Sequence, residues 1–139
     1  MSDCVFCKIV DHAIPASIVC EDADTVAFMD LGAVNPGHVL VVAKPHVENI
    51  LGLDDALAAS VFRTAARVAR AVQRAFGPPG ISVYQANGAP AGQTVMHFHI
   101  HVVPRWPDDG MDLSWPVKNP PRAALEENAA RLRAALAPA

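Results

Sequence analysis

The stretch Thr94–Val103, "TVMHFHIHVV", places three of the chain's six histidines at alternate positions inside an otherwise apolar run. Strand side chains alternate between two faces, so residues i, i+2 and i+4 share one of them. A strand over about 95–103 puts His97, His99 and His101 on one face and turns Phe98, Ile100 and Val102 to the core. A lone histidine in such a strand is ordinarily a structural residue with its ring satisfied. Three in register each need a partner once buried, and no neighbouring carboxylate in the sequence supplies one. Metal ligation and acid–base or nucleophilic chemistry both use a row of this kind.

The loop in front of the row narrows the choice. "ANGAPAGQ", residues 86–93, is built of small residues, with Gly88 and Gly92 leaving backbone N–H groups accessible and Thr94 adding a hydroxyl. Backbone donors of this kind cradle an oxyanion or phosphate without many positive side chains. Most Gly-rich loops are ordinary turns. Joined directly to a histidine row, this one points to an anion held beside imidazoles.

Working outward, "CVFCKIVDHAIP" reads as a short helix ended by Pro15, followed by strands in "ASIVCED" and "TVAFMD" around the turn residues 21–24. "NPGH" is a turn, and "VLVVA" after it is an apolar run of buried-strand length. Asp54 is an N-cap for a helix running to about Phe76, with Leu57, Val61, Ala65, Val68 and Val72 at helical spacing and "GPPG" as its stop. Arg63, Arg67, Arg70 and Arg74 form another stripe of that helix, read as a solvated face in preference to an anion-binding one. "ISVYQ" is a fourth strand, and the histidine strand is the fifth. A final helix over about 122–137 carries Leu125, Ala129, Leu132 and Leu136 on one face. Five strands, one long helix, a C-terminal helix and short connections define an α+β domain on a mainly antiparallel sheet. The whole of 1–139 reads as one domain, with 106–139 as a C-terminal extension.

Composition excludes several alternatives. The chain has 139 residues, 52% of them apolar and 18% charged, which suits a compact domain rather than a disordered segment. A formal net charge of −3 argues against nucleic-acid or acidic-membrane partners. "MSDCVFCKIV" has neither the basic region nor the apolar core of a signal peptide, and no run reaches the length of a membrane span. The expected location is cytoplasmic, where three cysteines stay reduced. Cys4 and Cys7 are spaced C-x2-C, which fits half of a tetrahedral zinc site. The competing thioredoxin-like redox pair would follow a strand in a βαβ unit, and none is present. Cys20 reads as a buried small hydrophobe and His12 as a surface residue without a partner.

"HFHIHVV" resembles the His-x-His-x-His-x-x pattern of the histidine triad superfamily, and "AGQTVMHFHIHVVPR" is similar to its Hint-like branch of nucleotide-binding proteins. The likeness extends through "CVFCKIV", "IPASIVCED", "VAFMDLGAVNPGHVLVVAKPHV" and the long helix, and weakens after Trp106. The resemblance implies the HIT-like fold and a hydrolase acting on purine nucleoside phosphoramidates or related nucleoside monophosphate derivatives. In it His99 attacks the α-phosphorus and forms a nucleotidyl-histidine. His101 bonds the phosphate or leaving group, His38 orients the nucleophile, and Thr94 with Gly92 and Gln93 holds the phosphate. Val5, Phe6, Ile9, Phe28, Leu31 and Leu40 fall at base- and ribose-packing positions, where plain core is the alternative reading. Asp30 falls where a carboxylate receives the ribose hydroxyls. Many relatives carry Asn two residues before Gly88, where this chain has Ala86; Asn87 is the remaining candidate there. His101 stands where nucleotidyl transferases of the superfamily carry Gln, which favours the hydrolase branch. His46 and His97 complete a Cys4–Cys7–His46–His97 zinc set used in some branches. The resemblance also implies a homodimer joined through the long helix and a sheet edge. A regulatory nucleotide-binding protein with incidental turnover and a dinucleoside polyphosphate hydrolase are the rival readings.

Overall fold

The computed structural model describes residues 3–138. Its helices are α1 (Val5–Val10), α2 (Asp55–Phe76) and α3 (Arg122–Leu136), and its strands β1 (Ile18–Glu21), β2 (Thr25–Met29), β3 (Val39–Ala43), β4 (Gly80–Tyr84) and β5 (His99–Arg105). The strands form one antiparallel sheet in the order β1-β2-β3-β5-β4, the expected α+β architecture. Among the described residues no helix is long and apolar enough to cross a membrane.

The central strands β2, β3 and β5 are buried on both faces of the sheet. On one, Val39, Val41, Ile100 and Val102 pack with Phe98 against Val61, Ala65, Val68 and Val72 of α2. α2 keeps its register through the Asp54 carboxylate, which accepts the Leu57 N–H at 2.8 Å, and ends where Gly77 turns left-handed at φ 59°. On the other face, Val26, Phe28, Leu40 and Val42 pack against Phe6 and Ile9 of α1. Cross-strand pairing sets His99 opposite Val42 and His101 opposite Leu40, so both histidines belong to this second face.

Several expectations need correction. The fifth strand begins at His99, not near Val95, and His97 lies outside the ladder. The Phe98 N–H bonds to the Val47 carbonyl (2.6 Å), a loop acceptor, so regular pairing starts only after it. α1 stops at Val10, well before Pro15, because His12 takes the left-handed conformation (φ 56°) and the Ala13 N–H bonds back to the Lys8 carbonyl at 2.8 Å. His12 is exposed as expected, yet its Nε2 lies 3.2 Å from Glu21 Oε1. Cys20 is only partly buried against the core. The α2 arginines are exposed, and among the described residues none is ion-paired with a carboxylate. Leu125, Leu132 and Leu136 of α3 are exposed, so most of the apolar face of that helix is uncovered among the described residues.

Candidate active site

A cavity of about 260 Å³ opens on the second face of the sheet. Val5, Phe6 and Ile9 of α1, Phe28 and Asp30 at the end of β2, Leu31, and Leu40 of β3 line it together with Thr94, His99 and His101. Leu31 contributes from the rim, fully exposed. Pro15, Ala16, Ser17, Met29 and Val95 also line the cavity and were not singled out from sequence. Nothing in their residue types marks them; the fold brings the α1–β1 connection there. The apolar walls suit a flat heteroaromatic ring, and the polar groups gather at one end.

The hydrogen bonds of the histidines assign their tautomers. His99 Nδ1 lies 2.7 Å from the His97 carbonyl. A carbonyl only accepts, so Nδ1 carries the proton and Nε2 keeps its lone pair. Among the described residues that Nε2 has no hydrogen-bond partner, and no buried side-chain nitrogen is left unpaired. It therefore reaches the cavity. His38 Nδ1 accepts the Val34 N–H at 3.1 Å, so neutral His38 carries its proton on Nε2. That N–H donates to His101 Nδ1 at 2.9 Å, with Asp30 Oδ2 at 3.2 Å. His101 Nδ1 is then an acceptor, and its own proton sits on Nε2. His38 itself is buried behind His101 and does not line the cavity.

Burial is the largest influence on all of these rings. It pulls His38, His97 and His99 below the ordinary imidazole range. His101 falls to about 4, with His99 and His38 beside it adding to the effect of burial and Asp30 opposing it. The site at neutral pH is thus a set of uncharged imidazoles with a nucleophilic nitrogen facing a pocket. Asp30, expected only at the sugar, also stands beside the His38–His101 pair, with its Oδ1 taking the Gly32 N–H at 2.8 Å. The Asp30, His38 and His101 atoms are close enough together to enclose a cation. The proton on His38 Nε2 denies it the lone pair it would need, and the trio stands as a hydrogen-bonded chain.

The loop before the histidines is cross-braced by hydrogen bonds, and three of the residues expected to contact the ligand take part in them. Gln93 is buried, with Oε1 accepting the Gly88 N–H (2.7 Å) and Nε2 donating to the Glu48 (2.7 Å) and Val95 (3.0 Å) carbonyls. Asn87 Oδ1 accepts from the Ile50 N–H at 2.8 Å and from Gln85 Nε2 at 2.7 Å. The Gly92 N–H closes a turn onto the Ala89 carbonyl at 3.0 Å. Asn87, Gly92 and Gln93 therefore shape the loop, and none of the three is among the residues lining this cavity. The amides of Thr94 and Val95 take no protein acceptor among the described residues, and both residues line the cavity. They are the backbone donors open to a phosphate. Sequence could not separate them from Gly92, because the separation depends on which amides the turn consumes.

A second cluster lies at the start of α1. His97 Nδ1 is 3.4 Å from Cys4 Sγ, 3.6 Å from Cys7 Sγ and 3.2 Å from His46 Nδ1, and Cys7 Sγ is 3.3 Å from His46 Nδ1. A tetrahedral zinc with Zn–N of about 2.0–2.1 Å and Zn–S of about 2.3 Å requires N···N near 3.3 Å and S···N near 3.6 Å. These four separations are close to that requirement, and all four donor atoms lie within 4.8 Å of one another. The buried His97 ring also lies 2.6 Å, through Nε2, from the Ala43 carbonyl, which places its proton there and leaves Nδ1 free to ligate.

A sheet-borne uncharged imidazole, two free backbone amides and an apolar slot thus share one cavity. The chain belongs to the HIT domain family, whose profile matches residues 11–108. It is 40% identical over 114 residues to protein hit of Bacillus subtilis, covering 81% of this chain and 79% of that one. It is 35% identical over 114 residues to adenosine 5′-monophosphoramidase hnt1 of Schizosaccharomyces pombe, covering 81% and 83% respectively. The crystal structure of a HIT family member from Bacillus subtilis superposes with a TM-score of 0.94 at 35% identity, covering 99% of both chains. A zinc-bound histidine triad family protein from Mycobacterium smegmatis superposes at 0.74 with 30% identity, covering 96% of this chain and 98% of that one. The adenosine 5′-monophosphoramidase among these relatives places hydrolase activity within the family.

Proposed function

We propose that this chain hydrolyses purine nucleoside phosphoramidates, or related nucleoside monophosphate derivatives, through a nucleotidyl-histidine on His99. The observation that carries the reading is the 2.7 Å bond from His99 Nδ1–H to the His97 carbonyl, which leaves Nε2 nucleophilic beside the cavity. The base lies among Val5, Phe6, Ile9, Phe28 and Leu40, and Asp30 receives the ribose hydroxyls. The phosphate rests on the Thr94 and Val95 amides and the Thr94 hydroxyl. His99 Nε2 attacks phosphorus and the phosphorus–nitrogen bond to the leaving amine breaks. The amine takes the proton from His101 Nε2; the negative charge left on His101 is offset by the positive charge that His99 gains on bonding phosphorus, the two ring centroids being 5.1 Å apart, and by the His38 N–H on His101 Nδ1. Water then attacks phosphorus, giving its proton to His101 Nε2 and freeing His99 and the nucleoside monophosphate. Uncharged imidazole suits both halves, being nucleophilic near neutral pH and a tolerable leaving group from phosphorus.

Cys4, Cys7, His46 and His97 would hold a structural zinc, which pins α1 against the loop before β5. The zinc-bound Mycobacterium smegmatis relative supports that reading. We also infer a homodimer. β4 is a sheet edge, and the exposed Ile50, Phe62 and Val83 line one apolar hollow beside it. Turnover of purified protein against adenosine and guanosine phosphoramidates, with dinucleoside polyphosphates in parallel, tests the substrate class. Cleavage of the phosphoramidates well above the polyphosphates is the expected result. Preference for polyphosphates, or nucleotide binding without any turnover, contradicts it.

A further inference from the structure

The turn that carries His38 is fastened at a point the chemistry does not touch. Asn35 Nδ2 donates to the Pro104 carbonyl at 2.8 Å and to Asp109 Oδ2 at 2.9 Å. The Asp109 side chain is only 5% exposed, and its carboxylate also gathers Arg105 Nε (2.7 Å) and Nη2 (3.1 Å) and the Trp106 (3.2 Å) and Met111 (3.1 Å) amides. Asn35 is thus tied to β5 three residues beyond His101. Its backbone faces the other way: the Asn35 carbonyl accepts the His38 N–H at 3.2 Å, and the preceding residue, Val34, supplies the N–H that His38 Nδ1 accepts. One side chain therefore links the amide that assigns the His38 tautomer to the strand that bears His101.

We propose that Asn35, anchored by Asp109, is a positioning residue that holds the Val34 amide on His38 Nδ1 and so keeps the His38 proton aimed at His101. The proposal rests on the hydrolase reading only for its kinetic consequence. A neutral imidazole interconverts readily between tautomers, and the hydrogen bond at one nitrogen decides which nitrogen carries the proton. Releasing Asn35 frees the turn, lets the Val34 amide leave His38 Nδ1, and allows the proton to move there. His38 Nε2 would then compete with His101 Nδ1 as an acceptor, and His101 would lose the orientation that delivers its proton to the leaving amine.

The test is ¹⁵N NMR of histidine-labelled protein combined with steady-state kinetics of Asn35→Ala and Asp109→Asn. Wild type is expected to show His38 with Nδ1 unprotonated and Nε2 protonated. In Asn35→Ala the His38 signals should move toward the opposite tautomer or an average. kcat should fall about 10- to 100-fold, the scale of misplaced acid–base catalysis, and more for basic leaving amines than for activated ones. KM and nucleoside monophosphate affinity should stay within about threefold. Asp109→Asn keeps an acceptor for Asn35 and removes the charge from the knot, so it should shift both readouts in the same direction by less. Retention of the wild-type His38 tautomer in both variants overturns the proposal, whatever happens to stability. So does a tautomer shift in either variant with undiminished kcat. The NMR arm needs no turnover, so it decides the positioning role even if the substrate class is wrong.

Discussion

Replacing Cys4 by Ala removes one of the four donors of the proposed zinc site and the cap of α1 together, since Cys4 Sγ also receives the Cys7 N–H at 3.5 Å. α1 is a six-residue helix, far too short to hold its shape unaided. It stays only because the cluster fastens one end and Phe6 and Ile9 bury its inner face, at 6% and 7% exposure. Full burial of each such side chain contributes about 1.5–3 kcal/mol, so complete release of α1 costs about 3–6 kcal/mol. Loss of a cap adds about 1 kcal/mol. Partial release lowers the total, and several kcal/mol is a large share of the roughly 5–15 kcal/mol that holds a typical domain. The core between α2 and the sheet is untouched, so the variant should remain folded at 25 °C. Cys4→Ala should therefore carry little zinc, unfold at a clearly lower denaturant midpoint, and bind nucleoside monophosphate more weakly because Val5, Phe6 and Ile9 wall the cavity. Metal analysis, guanidinium unfolding followed by circular dichroism, and calorimetric titration measure the three effects. A variant with full zinc, or metal-free wild type unfolding at the same midpoint as the loaded protein, refutes the reasoning.

Other outcomes follow from individual residues. Asp30→Ala should weaken ribonucleotide binding by roughly 1–3 kcal/mol, the scale of charge-assisted hydrogen bonds, and leave a 2′,3′-dideoxy ligand nearly unaffected; equal losses for both ligands would make Asp30 a fold residue. His101, lowered to about 4 in the folded chain, resists protonation that the unfolded chain accepts near its ordinary value of 6.5. Its contribution to stability is thus present above about pH 6.5 and is lost as pH falls toward 4, by up to about 3 kcal/mol. Denaturation of wild type and His101→Gln across that window should show a shallower acid loss in the variant, and parallel curves would count against the burial argument. Gly92→Ala should destabilise by about 1–3 kcal/mol, because Gly92 has φ 97° and an added Cβ would meet Tyr84 Oη at 2.9 Å. An unchanged melting temperature would show that the loop relaxes freely.

What was legible in the sequence was local. α2 announced itself at both ends, through the Asp54 cap and Gly77, and its apolar spacing identified the buried face that the structure shows. The period-two alternation of Phe98, Ile100 and Val102 against His99 and His101 assigned the two faces of β5 correctly. The start of that strand was hidden, because Phe98 bonds to Val47, a loop position fixed only by the tertiary fold. The same limit applies at the site. Asp30, His38 and His101 are far apart in sequence, and neither their mutual contact nor the Val34 amide that orders their protons leaves a local trace. Gln93 and Asn87 looked like ligand contacts because polar side chains beside a Gly-rich loop have two uses. In this structure both brace the loop against the backbone of residues 48–50, a use that no local pattern displays.

The central claim is that His99 Nε2 forms a covalent bond to phosphorus. Rapid acid-free quenching of wild type mixed with a phosphorus-labelled adenosine phosphoramidate, followed by peptide mapping, tests it directly. The account predicts one labelled peptide, modified at His99 through a phosphorus–nitrogen bond stable to alkali and labile to acid, and no label or turnover in His99→Ala. Label on any other residue, or near-normal turnover by His99→Ala, contradicts it.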